Sequence, residues 1–138
     1  MAIFFPDFLC KNSAMKQNDT QPTLTATGHY DLHIEDTQKS IGQFAAPGVE
    51  GYILGRSDDS SPYIPDLNLK NFGALEHGVS RRHAVLVRFN HVIHIIDLAS
   101  VNGTYLNERR LRPDKPYALH DGDLLRLGSL KMTLIKIK

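Results

Sequence analysis

From Val79 to Asn102 the chain runs without a glycine or a proline, the longest such stretch after residue 28. If the fold contained a substantial helix, this is where it would sit. The stretch is instead dense in Val and Ile, and apolar residues alternate with polar ones. β-Branched side chains and period-two spacing both favour strand over helix. The same texture recurs elsewhere. Tyr30, Leu32 and Ile34 alternate with Asp31, His33 and Glu35. Gly51–Gly55 forms a second run and Asp66–Leu69 a shorter one. His83–Phe89 and Val92–Asp97 flank Asn90-His91, a hairpin turn signal, and Leu124–Leu127 and Leu130–Ile137 flank Gly128-Ser129. In the last run the apolar face shifts from Leu130, Met132 and Leu134 to Ile135 and Ile137, which predicts a bulge. One short helical turn fits near Ala74–His77. Many short strands separated by Gly, Pro, Asn and Asp predict an all-β sandwich or barrel.

Residues 1–27 differ. Between Lys11 and Thr27 aliphatic residues are scarce, so the segment is expected to be a flexible polar tail preceding a domain over 28–138. Phe4, Phe5, Phe8 and Leu9 form a candidate docking patch within it. Asp19-Thr20-Gln21-Pro22-Thr23 offers accessible hydroxyls. The single cysteine, Cys10, excludes an internal disulfide. Apolar runs are only a few residues long, which is too short for a membrane span, and Met1–Cys10 lacks the basic start of a signal peptide. A cytoplasmic protein without membrane association is expected. Charge is uneven: residues 1–50 carry −3 and residues 51–138 carry +4, with every arginine in the second part. Arginine suits planar anions such as carboxylate and phosphate. The net excess is too small for non-specific nucleic-acid binding.

Three polar clusters interrupt the strands. Gly55-Arg56 ends one, Gly78-Val-Ser80-Arg81-Arg82-His83 opens the next, and Asp97-Leu-Ala-Ser100-Val101-Asn102-Gly103-Thr104 leaves the one after. Successive strands run in opposite directions, so Arg56, Ser80, Arg81 and Asn102 are expected to converge at one end of the sandwich. Guanidinium forks, a hydroxyl and backbone N–H groups together make a phosphate site.

These clusters, with Tyr105-Leu-Asn107 and Leu119-His-Asp-Gly122-Asp123-Leu-Leu-Arg-Leu127-Gly128, resemble the forkhead-associated (FHA) domain from about residue 28 to 138. Pro65–Leu69, Gly73-Ala74 and Gly78–His83 look like bacterial members. The resemblance implies a β-sandwich of two antiparallel sheets that binds phosphothreonine peptides at loops on one end, without catalysis and without a cofactor. It implies that Arg56, Ser80 and Arg81 contact phosphate and that Asn102 holds the peptide main chain. His83 would brace the loops, and Gly55 and Gly103 would permit tight backbone. Val101 departs from the polar or basic residue common at its position, which removes a side-chain contact worth about 1 kcal/mol. Some bacterial members are phosphorylated on an N-terminal threonine and bind that tail, so phosphorylated Thr20 or Thr23 is a candidate internal ligand.

Other readings attach to the same residues. Arg56 is also a candidate ion-pair partner of Asp58 or Asp59, and Arg82 a solvated charge. A hydrolase built on Ser80, His83 and Asp97 lacks a nucleophile elbow, and a Ser and His three apart on a strand face opposite ways. His29/His33 and His91/His94 lack the spacing and companions of a metal site, so no metal is expected. Arg109-Arg110-Leu111-Arg112 is a basic cluster that is either a solvated face or a reader of acidic positions in a partner. A phosphate-independent scaffold or oligomerisation domain is the alternative function.

Overall fold

Tyr30, Leu32 and Ile34 are all buried, as period-two spacing demands of a strand with one face on a core. A computed structural model describes residues 21–137. The Phe4/Phe5/Phe8/Leu9 patch, Cys10 and Thr20 lie outside the described residues. The strands are β1 (His29–Ile34), β2 (Ser40–Ala45), β3 (Tyr52–Gly55), β4 (Leu67–Asn68), β5 (Ala84–Phe89) and β6 (Val92–Asp97), followed by β7 (Thr104–Leu106), β8 (Arg109–Arg110), β9 (Tyr117–Ala118), β10 (Leu124–Leu127) and β11 (Leu130–Lys136). A 5-stranded sheet has the order β9-β6-β5-β3-β4, and a 6-stranded sheet the order β2-β1-β11-β10-β7-β8. Leu54, Leu86, Ile93 and Ile95 of the first meet Leu32, Leu125, Leu127 and Met132 of the second in one buried cluster. The two sheets form the sandwich.

Turn chemistry sets the register. Asn90 and His91 both have positive φ, 53° and 64°, and so do Asn107 and Glu108, 51° and 66°. Two left-handed residues in succession match the twist of a tight hairpin. They join β5 to β6 and β7 to β8. Pairs of these strands are antiparallel except for β3 and β4, where Leu54 and Gly55 run parallel to Leu67 and Asn68. The connection over residues 56–66 is long enough to return the chain in the same direction.

Two expectations are corrected. The tail does not extend to residue 27. Leu24 is buried at 5% exposure, its N–H donates to Leu119 O (2.9 Å), and its carbonyl accepts from Ile93 N (2.8 Å). The packed unit therefore includes residues 22–26; one apolar residue inside a polar segment is enough when its backbone also finds partners. β11 has no bulge, pairing continuously from Met132↔Ile34 to Lys136↔Tyr30. The irregularity lies instead between Asp31 and His33, where β1 meets β2. There the buried Asp31 carboxylate accepts from Ser40 Oγ and from Gly42 N–H. Gly42 turns at φ 112°, a conformation open to glycine. The helical turn expected near Ala74–His77 is present, and a 3₁₀ turn at Lys70–Phe72 precedes it. The bond from His77 N–H to Gly73 O closes the expected turn.

Topology now fixes the two ends. Leu54 pairs with Ala84, Ala84 with Asp97, and Leu127 with Thr104. All three interrupting clusters thus leave the sandwich at one end. The Asn90-His91 turn and the Leu24 segment lie at the other, where Ala26 N bonds His91 O.

Replacing Leu86, which is fully buried, with Ala should cost about 2–5 kcal/mol in chemical denaturation. Ile64→Ala, at 69% exposure, should change stability by under about 0.5 kcal/mol. Equal effects would contradict the core assignment.

Candidate functional site

The site is built from backbone outward. Gly55 ends β3, and a Cβ placed there would lie 1.8 Å from Arg81 O. Only glycine lets the segment around Ser80 lie directly on the end of β3. That contact sets Arg56 beside Ser80. Arg56 Nε donates to Val79 O (2.7 Å), which fixes the side chain along the next loop.

His83 joins this loop to the one after β6. Its ring is fully buried. Ser80 N–H donates to Nδ1 (2.9 Å), so Nδ1 carries no proton, and Nε2–H donates to Gly103 O (2.9 Å). The ring is the neutral Nε2–H tautomer. Burial pushes its pKa below the ordinary imidazole value, against the smaller opposing pull of Gly103 O and Asp97. Two further bonds repeat the bridge: Val101 N–H to Ser80 Oγ (3.2 Å) and Asn102 Nδ2 to Gly78 O (3.0 Å).

Asp97 shapes the second loop. Its buried carboxylate accepts from Ser100 Oγ (2.5 Å), Thr104 Oγ1 (2.6 Å) and Ser100 N–H (3.3 Å). The loop is thereby drawn into an arch that presents Val101 and Asn102 outward. Gly103 closes it at φ 88°, with the Arg110 guanidinium packed where a side chain would be.

The result is a shallow depression of about 220 Å³ lined by Arg56, Leu75, Gly78, Val79, Ser80, Val101 and Asn102. Arg56, Ser80 and Asn102 come together from three separate stretches of sequence. Arg81 does not line the depression. It stands beside it, half exposed, with Nε 3.8 Å from Asp58 Oδ2. Arg56 Nη1 lies 3.4 Å from the same oxygen. Asp58 thus pairs with both arginines, and the ion-pair reading of Arg56 coexists with its place in the depression. Hydrogen bonds from the Ser60 hydroxyl and backbone, then the two guanidinium groups, hold the Asp58 carboxyl below its usual range. Arg82 turns the other way, over the Tyr63 ring at 5.9 Å.

Ser80 and His83 do not lie on a strand, because residues 81 and 82 form a bend. Both ring nitrogens of His83 are engaged by backbone and neither meets Ser80 Oγ. Sequence reasoning placed Gly78 at the head of the second cluster without giving it a role, and missed Leu75. Gly78 has φ 77°, and a Cβ there would come 2.6 Å from Asn102 Nδ2. Its place just before Val79-Ser80 was the available signal.

A fold and a site of this kind define a loop-based recognition module. The model of the FHA domain matches residues 52–128, more than half of the chain, and the chain belongs to that family. It is 44% identical over 55 residues to a probable E3 ubiquitin-protein ligase, dma1, of Schizosaccharomyces pombe, which covers 37% of this chain and 21% of the relative. It is 30% identical over 86 residues to an oxoglutarate dehydrogenase inhibitor of Corynebacterium jeikeium, covering 62% and 51%. The chain spans only about a fifth to a half of these relatives. A solved structure from a study of phosphothreonine-dependent FHA domain interactions superposes with a TM-score of 0.58 at 27% identity, covering 80% of this chain and 98% of the other.

The imidazole of His94 is also held below its ordinary pKa, chiefly by burial, with a carbonyl bond opposing and the charge of His120 adding. The unfolded chain protonates both imidazoles near the ordinary value of about 6.5, before the folded protein does. Stability should be full above that pH and fall as pH drops through it. Thermal melts between pH 7.5 and 5 should show a declining midpoint. A flat or rising midpoint would contradict the buried neutral assignment.

Proposed function

We propose that the chain is a phosphothreonine-dependent binding module and that Arg56, Ser80, Arg81 and Asn102 form its phosphopeptide site. The observation that carries this is the convergence of Arg56, Ser80 and Asn102 on one depression. Arg56 uses Nε on Val79 O, which leaves the Nη2 side of its fork for phosphate oxygens. Ser80 Oγ already accepts from Val101 N–H, so its own proton is available to donate outward. Asn102 spends one N–H on Gly78 O and keeps its amide oxygen for a peptide N–H. Arg81 is close enough to exchange Asp58 for a phosphate. A cytoplasmic setting, where protein kinases act, suits this role, and no described helix is long and apolar enough to cross a membrane. The exposed side chains of Leu75 and Val101, at 65% and 82%, favour apolar residues beside the phosphothreonine.

A phosphorylated tail fits the same reading, with a geometric condition. Thr23 is bridged to His120 at the end opposite Arg56. Thr20 lies two residues before Pro22, a reach of about 7 Å. The four residues of β10 alone span about 10 Å. A phosphorylated Thr20 or Thr23 therefore reaches the site of its own chain only if Leu24 leaves the core, and otherwise binds a second copy.

Arg56→Ala should weaken binding of a phosphothreonine peptide at least about tenfold, and Arg56→Lys should not restore it, because the fork is lost. Calorimetry on variants with unchanged melting behaviour checks this. Retained affinity in Arg56→Ala, or equal binding of the unphosphorylated peptide, would point to the phosphate-independent scaffold. Chains phosphorylated at Thr20 should associate in proportion to concentration in sedimentation. A monomer with a blocked site would show instead that Leu24 is released.

A further inference from the structure

The basic cluster Arg109-Arg110-Leu111-Arg112 borders a groove of about 420 Å³ on the side of the sandwich. One wall is β8, the edge of the 6-stranded sheet; the other is β9, the edge of the 5-stranded sheet. The groove is therefore the opening between the sheets where neither has a further strand among the described residues. Its floor is apolar, made by Leu106, Leu111, Tyr117 and Ala118. Arg110 stands at the head, packed against Gly103 of the binding loop. Asn107, His120 and Asp123 close the far end.

The exposed charge in its lining is cationic. The Asp123 carboxylate is buried and accepts from Asn107 Nδ2 (2.9 Å) and His120 N–H (2.8 Å). Arg110 and Arg112 are exposed, and neither forms an ion pair with a carboxylate among the described residues. Arg110 lies over the Tyr105 ring at 5.8 Å. Arg112 N–H donates to Tyr117 Oη (3.1 Å), and Lys115 Nζ sits 5.5 Å from the Tyr117 ring, adding a further cation. An apolar floor under a cationic rim suits an acidic segment that inserts one apolar side chain. Edge strands suit an extended peptide.

We propose that this groove is a second peptide site, which takes an acidic, apolar-bearing segment of the same partner that presents the phosphothreonine. The proposal rests on the phosphothreonine reading for its first anchor. The groove begins at Arg110 beside the binding loop, so a peptide held at Arg56 is tethered near it and binds the second site at raised effective concentration.

The test uses the full chain and fluorescence anisotropy at low salt. A short phosphothreonine peptide is compared with the same peptide extended through a Gly-Ser spacer by Glu-Glu-Leu-Glu, before or after the phosphothreonine. One extension should tighten binding about tenfold, with the gain shrinking as salt rises. Arg112→Glu and Ala118→Phe should each abolish the gain while the short peptide binds as before. No gain from either extension, or a gain that survives both variants, overturns the proposal. If the short phosphopeptide does not bind at all, the phosphothreonine reading fails on its own. The groove is then tested by nuclear magnetic resonance with the unphosphorylated acidic peptide. Shifts at Tyr117 and Ala118 support the groove; their absence, or the same shifts from a single-stranded oligonucleotide in place of the peptide, overturns it.

Discussion

The binding end of this molecule depends on one neutral imidazole. His83 accepts from Ser80 N–H on one side and donates to Gly103 O on the other. The ring therefore sets the separation of two loops that have no strand between them. Protonation would place a hydrogen on Nδ1 facing the Ser80 N–H, and two donors would oppose each other. Burial guards against this by disfavouring the charged form. An aliphatic side chain of similar bulk would leave the Ser80 N–H unpaired and take from Gly103 O one of its two donors, the other being Gly128 N–H.

The remaining contacts refine what His83 fixes. Gly55 allows the Arg81 carbonyl to rest on the end of β3, and Asp97 gathers Ser100 and Thr104 into the arch that carries Asn102. Gly128 N–H donates to Gly103 O, tying the arch to the β10–β11 hairpin. The loops are thus held by hydrogen bonds to an ordered core. Groups so held lose little freedom when a ligand arrives, which lowers the entropic cost of binding.

Much of this was legible in the sequence because the motif residues bond to each other. Ser80, His83, Asp97, Asn102 and Gly103 are distant along the chain but share one network, and the order of their clusters follows strand order. The features that escaped depend on single residues against a contrary background. Leu24 packs in the core, yet its neighbours are Thr, Pro and Ala, and a composition window averages it away. β2 was missed because Ser40–Ala45 holds a glycine and a glutamine and is an edge strand with mostly exposed side chains. Ile135 and Ile137 suggested a bulge because two apolar residues fell off the alternation. Ile135 is half-buried on the outer face beside Tyr30 and Pro22, so its apolar character serves a second surface of the same regular strand. Arg81 followed Ser80 in the motif, but the bend at 81 and 82 aims it at Asp58.

Asp58 and Val101 show how the site tolerates residues that look unfavourable to an anion. The Asp58 carboxylate is close to Arg56 and Arg81 at distances typical of a loose surface ion pair. Such pairs hold side chains in place but contribute little in water. A phosphate brings close to two charges and three acceptor oxygens, and it meets donors already aimed at it. On the proposed reading a phosphate would replace the Asp58 carboxylate at these donors, and without it Asp58 holds both forks beside the depression. Val101 has lost any polar side-chain contact, but its N–H still holds the Ser80 hydroxyl. The geometry at that position belongs to the backbone. The side chain, largely exposed, sets an apolar surface on the depression.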